Sequence, residues 1–136
     1  MRVVALGGGK KLVSALTLAL SLAVLAPELA SASPSAAIIY PGECPSPPGS
    51  AAVKCVQWVL DEYANHPMPQ DGCFGPLTEA GVRDLQLFFG LKYIDGIVGP
   101  ETGDALYLIM FNNTDFGDFL NWMTNCYPIV PTYKQF

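Results

Sequence analysis

Apolar positions recur at helical spacing in four stretches of the chain. Val53, Val56, Leu60 and Tyr63 fall at i, i+3, i+7 and i+10, one stripe of a helix, and Ser50 stands where an N-cap belongs. The run cannot pass His66-Pro67-Met68-Pro69, because a residue before proline is pushed out of the helical region. A first helix is therefore predicted over about 52–64. A second, over 77–89 behind Pro76, carries Val82, Leu85 and Phe89 on one face and meets a natural stop at Gly90. A third is predicted over 100–111, with Leu106, Ile109 and Met110 as its apolar face and Asn112-Asn113-Thr114 as its break. A shorter fourth helix fits 115–124, where Phe116, Phe119, Leu120 and Met123 sit at i, i+3, i+4 and i+7. The tail, 127–136, holds two prolines and is expected to be irregular.

Two segments precede this pattern. Arg2, Lys10 and Lys11 lead into an uncharged apolar run, Leu12 to Ala26, which Pro27 breaks before the small residues Ala30-Ser31-Ala32. That layout predicts a secretory signal peptide over 1–32, with a run too short for a membrane anchor. Residues 33–51 are rich in Pro, Ser, Gly and Ala and read as an extended arm that buries little. The organisation expected is thus signal 1–32, arm 33–51, helical domain 52–111 and an aromatic C-terminal extension 112–136.

An internal repeat runs through the helical part. Asp71-Gly72-Cys73-Phe74-Gly75-Pro76-Leu77-Thr78 and Asp95-Gly96-Ile97-Val98-Gly99-Pro100-Glu101-Thr102 both read D-G-x-x-G-P-x-T. Upstream of each lies V-x₃-Q, Val53 to Gln57 and Val82 to Gln86. Asp-Gly makes a turn, and proline at the first helical position gives up an amide that would lack a partner anyway. The carboxylates of Asp71 and Asp95 are expected to accept loose amides at the helix starts, with Thr78 and Thr102 joining from the first turn. Phe74 and Val98 should plug inward. Gln57 and Gln86 are expected to bond loop backbone, so that each loop is locked to a neighbouring helix.

The exported part keeps four basic and eleven acidic residues, a net charge of −7. Such a surface argues against nucleic acid and against anionic lipid, so no membrane contact is expected once the signal is cleaved. Cys44, Cys55, Cys73 and Cys126 all lie in this part, an even number in a small exported chain, and read as two disulfides. Spacing leaves all three pairings open. No C-x₂-C pair is present and His66 is the only histidine, so neither a zinc site nor any other metal or cofactor is expected.

The pieces V-x₃-Q-x₂-L (Val53, Gln57, Leu60), D-G-x-F-G-P-x-T (Asp71 to Thr78), V-x₂-L-Q-x₃-G-L (Val82 to Leu91) and D-G-I-V-G-P-x-T (Asp95 to Thr102) occur in that order. Together they resemble the first type of bacterial peptidoglycan-binding domain, over about residues 52–110. The resemblance implies an all-α fold, a small three-helix unit with two loop–helix repeats, here with an extra C-terminal helix and two disulfides. It implies binding of peptidoglycan, as glycan or stem peptide, at the cell wall or outside the cell. Members of that family commonly sit beside a cell-wall hydrolase domain, and residues 111–136 are too few to form one. Gly81 stands where the family commonly has alanine, a weakening at mid-helix. Some members clamp the two ends of the domain with a disulfide, which implies Cys44–Cys126 and leaves Cys55–Cys73.

Catalysis is not expected. A triad needs a base, and His66 reads as an exposed loop residue in H-P-M-P, while the cysteines read as oxidised. No H-E-x-x-H or H-x-x-E-H metal motif occurs. A glycosidase needs only two carboxylates, but Asp71 and Asp95 are assigned to structure, and Asp61, Glu62, Asp84 and Asp104 read as solvated helix faces. Among the aromatics, Trp58, Tyr63, Tyr93, Tyr107 and Trp122 could present rings to a sugar or peptide. A groove near the two loops would gather Asp71, Phe74, Tyr93 and Asp95 as ligand-binding residues. The segment from Phe116 to Phe136 motivates a second function, docking on or inhibiting a secreted cell-wall hydrolase, if Phe116, Trp122 and Tyr133 face solvent.

Overall fold

Ser50 opens the first helix as expected, its side chain accepting the amide of Val53. In the computed structural model, which describes residues 36–46 and 49–133, the helices are α1 (Ala51–Tyr63), α2 (Pro76–Phe88), α3 (Pro100–Asn113) and α4 (Phe116–Asn125). The segment read as an export signal lies outside the described residues. No strand forms among the described residues, only an isolated antiparallel bridge between Ile39 and Val98. The fold is all-α.

The stripes predicted for α1 to α3 meet in one core: Val53, Val56 and Leu60 pack with Val82, Leu85, Leu106, Ile109 and Met110. α1 touches both α2 and α3, and α3 carries α4. α2 ends at Gly90 in a pair of return bonds, Gly90 N–H to the Leu87 carbonyl and Leu91 N–H to the Gln86 carbonyl, which occupy its last acceptors. α3 runs two residues past its expected end at 111. Asn112, Asn113 and Thr114 bond back to the carbonyls of Leu108, Ile109 and Met110, so they finish the helix instead of breaking it.

Three expectations need correction. The face of α4 that packs inward is centred on Trp122, with Phe119 and Met123 partly buried, while Phe116 and Leu120 point outward. Asp115 caps α4 by accepting the Asp118 amide, which leaves Phe116 at the exposed first turn. The arm does enter the core: Ile39 is buried and exchanges both backbone bonds with Val98, at 3.1 and 3.0 Å. The tail is irregular, but Tyr127 and Val130 are fully buried and belong to the same core.

The third correction concerns the disulfides, which join Cys44 to Cys73 and Cys55 to Cys126. Helix geometry gives the reason. Gln57 is turned toward the first loop, bonding Asp71, the Cys73 carbonyl and Thr78. Cys55 lies two residues earlier, roughly 200° around the helix, and so faces away from that loop. The arm instead lies along the loop, with Gly42 and Glu43 bonding Phe74 backbone, which brings Cys44 to Cys73.

The tail sits hard against α3. A Cβ at Gly103 would lie 1.7 Å from the Pro131 carbonyl oxygen and 2.8 Å from its carbon, a collision with backbone. Gly103→Ala should therefore push the tail off α3 and cost about 3 kcal/mol, the upper part of the range for overpacking. Denaturant unfolding checks it, and a loss below about 1 kcal/mol would mean that the tail yields freely. Gly81 is a milder case. Its missing Cβ would meet the ends of the Leu60 and Met68 side chains at 3.1 Å, so glycine here makes room for close packing of α1 on α2.

Candidate functional site

Each D-G-x-x-G-P loop closes around one buried glutamine. The Gln57 amide nitrogen donates to Asp71 Oδ1 at 2.9 Å, the Cys73 carbonyl at 2.9 Å and Thr78 Oγ1 at 3.2 Å, and its oxygen accepts the Gly72 amide at 2.8 Å. Gln86 does the same one repeat later, with Asp95 Oδ1 at 3.0 Å, the Ile97 carbonyl at 2.9 Å, Thr102 Oγ1 at 3.1 Å and the Gly96 amide at 2.9 Å. Gly72 and Gly96 take the positive φ that the turn demands, 79° and 74°. Phe74 and Val98 plug inward and are buried, as their place between the glycines predicts.

The carboxylates have a different task from the one expected. α2 and α3 start at Gly75 and Gly99 with no side-chain cap. Asp71 and Asp95 instead accept the amide two residues on, Cys73 at 2.8 Å and Ile97 at 2.9 Å, and so shape their own loops. The Cys73 amide, and after it the Gln57 side chain, hold the Asp71 carboxyl below the usual range. A carboxyl depressed in the folded state contributes stability above its ordinary range and loses it as pH falls through the folded value. Thermal stability should therefore drop on acidification below about pH 4, and Asp71→Asn should flatten that part of the profile, read from melts across the acid range.

Two separate grooves flank these loops. The first, of about 290 Å³, is lined by Tyr93 and Asp95 together with Tyr40, Glu101 and Tyr133. The second, of about 130 Å³, is lined by Asp71, Met68, Pro76 and Leu77. Tyr93 and Asp95 thus share a groove, Asp71 lines the other, and Phe74, 1% exposed, is a core plug lining neither. Of the five aromatics considered from sequence, Trp122 and Tyr107 are buried, Trp58 and Tyr63 partly so, and Tyr93 is exposed. Lys92 Nζ sits 5.0 Å from the centre of the Tyr93 ring.

Tyr40 escaped the sequence reading, and Tyr133 was read only as part of the aromatic tail. They come from opposite ends of the chain, 48% and 64% exposed. Ile38-Ile39-Tyr40 is a short run of β-branched and aromatic residues inside the Pro/Ser arm, and that strand-like composition was the available signal for Tyr40. Ile39 goes in to pair with Val98, so Tyr40 stays out. Tyr133 is placed by its amide, which donates to Asp104 Oδ1 at 3.1 Å.

A further cleft, about 420 Å³, lies elsewhere, among Tyr63, His66, Asp84, Phe88, Phe89 and Asn113. His66 is half-buried and pairs with Asp84 at 3.4 Å, so it is not the exposed loop residue expected. The Tyr63 hydroxyl donates to Asp118, tying α1 to α4, and burial with that carboxylate pushes it up to about 12. All four cysteines are in disulfides.

Neither curated proteins nor solved structures return a match to the chain. A family model does, over residues 49–106, under the description "Putative peptidoglycan binding domain". That span holds both glutamine-keyed loops and the three helices they join, up to Leu106 in α3. It includes Cys55 and Cys73 but not Cys44 or Cys126, so each disulfide ties one flanking segment to this span. Over residues 49–106, the chain is similar to the peptidoglycan binding family.

Proposed function

We propose that the protein is an exported module that binds bacterial peptidoglycan and does no chemistry on it. The carrying observation is the family match over the two keyed loops. Two disulfides accord with an oxidising, extracellular setting, and no helix among the described residues is long and apolar enough to cross a membrane. The absence of a catalytic role is supported by the engagement of Asp71 and Asp95 in loop structure and of the cysteines in disulfides. Tyr93 and Asp95 are the proposed ligand contacts. Asp71, in the neighbouring groove, extends the surface, and Phe74 supports it from beneath. The test is sedimentation with purified insoluble peptidoglycan, with cellulose as control. Saturable co-sedimentation is expected, and its absence from a folded, oxidised sample would reject wall binding.

A second reading, docking on a secreted cell-wall hydrolase, is favoured by Phe116, 75% exposed at the start of α4. Trp122, fully buried, gives it no support, while Tyr133 is exposed but stands in the Tyr93 groove. Phe116→Ser separates the readings: wall binding should survive it unchanged, and docking should not.

A further inference from the structure

From the rim of the Tyr93 groove we infer that its ligand is the glycan strand of the wall, a chain of neutral N-acetylated sugar rings, and not the stem peptide. This rests on the peptidoglycan reading above and names the part of the polymer recognised.

Tyr40, Tyr93 and Tyr133 all line this groove and are all substantially exposed. Large rings held in solvent beside a groove cost apolar exposure, and that cost is recovered when a flat, partly apolar partner covers them. A pyranose offers such a partner, with C–H groups on its faces and hydroxyls around its edge. The charged groups that line the groove are carboxylates, Asp95 and Glu101, with the Lys92 ammonium beside the Tyr93 ring. Carboxylates accept hydrogen bonds and donate none. They suit the hydroxyl and acetamido N–H donors of a sugar, and they repel the free carboxylates that a stem peptide carries. The volume, about 290 Å³, suits a short stretch of sugar rings.

Two of the three rings come from outside the matched domain. Tyr40 and Tyr133 fall outside residues 49–106 and come from the two segments that the disulfides pin down. Tyr40 is fixed by the Ile39–Val98 bridge and Tyr133 by its bond to Asp104 beside the buried Thr132. Three rings drawn from the arm, the second loop and the tail thus meet at one place.

The experiment titrates the oxidised protein with a soluble tetramer of β-1,4-linked N-acetylglucosamine, and separately with a free stem peptide, by calorimetry. The tetramer is expected to bind and the peptide not to. Tyr40→Ala and Tyr133→Ala should each weaken the tetramer about fivefold, while Tyr133→Phe, which keeps the ring, should bind like the parent. Both positions are exposed, so unchanged thermal midpoints should accompany these losses. If the protein sediments with peptidoglycan yet ignores the tetramer, or binds it undiminished in both alanine variants, the glycan assignment is overturned while wall binding stands. If the tetramer binds through the tyrosines but peptidoglycan is not retained, the groove assignment holds and the wall reading fails.

Discussion

Replacing Gln86 with leucine should cost the fold about 4 kcal/mol, more than any single surface change. The side chain is 2% exposed and makes four bonds, one of them from the Gly96 amide and one to the Ile97 carbonyl. Leucine fills the space but pairs with none of these groups. Each buried polar group left without a partner costs on the order of 1–3 kcal/mol. For a domain near a hundred residues, that loss lowers the melting point by roughly 20 °C. Gln86→Glu is a sharper probe, because a carboxylate cannot donate to Asp95 Oδ1 and sets a second negative charge beside it. It should be at least as damaging at neutral pH and should recover part of the loss in acid, where a protonated carboxyl can donate. Thermal melts of the three proteins at two pH values decide the matter. A loss below 1 kcal/mol in Gln86→Leu would mean that loop and helix hold together without the glutamine.

The same glutamines show why part of the structure was legible in sequence. A repeated loop beside a repeated V-x₃-Q leaves few partners for the glutamine, and the bonds run from side chain to loop as the pattern implies. The disulfide pairing was within reach of the same reasoning. Once Gln57 is directed to the first loop, Cys55 cannot also face it, and pairing Cys55 with Cys73 conflicts with the helix period. The family's end-to-end clamp misled because here the clamps run from each end to the middle. The α4 stripe misled for another reason. Phe116 to Met123 offers apolar residues on more than one face, and tertiary contact with Tyr107 and Tyr127 selects the Trp122 face. The three-tyrosine groove was only partly legible. Tyr93 stood next to a motif, but Tyr40 and Tyr133 lie 93 positions apart, and nothing local states that they meet.

Removal of Cys55–Cys126, as a double alanine variant, should be the other large loss, about 4 kcal/mol for a loop closed across 71 positions. Cys44–Cys73 closes 29 positions and should contribute about 3.5 kcal/mol by the same chain-entropy reasoning. The totals are close, so the informative difference is where each loss is felt. Without Cys44–Cys73 the arm is held by the Ile39–Val98 pair and the bonds of Gly42 and Glu43 to Phe74, and its amides should exchange with solvent first. Without Cys55–Cys126 the end of α4 and the tail lose their tie to α1, and protection should fall around Trp122, Tyr127 and Val130. Each variant thereby loosens one wall of the groove, Tyr40 in the first case and Tyr133 in the second, while both glutamine-keyed loops keep their bonds. Hydrogen exchange on the two double variants reads this directly. Uniform loss of protection across all four helices would show instead that the flanking segments and residues 49–106 unfold as a single cooperative unit. In that case the disulfides stabilise the family domain itself as much as the groove its neighbours complete.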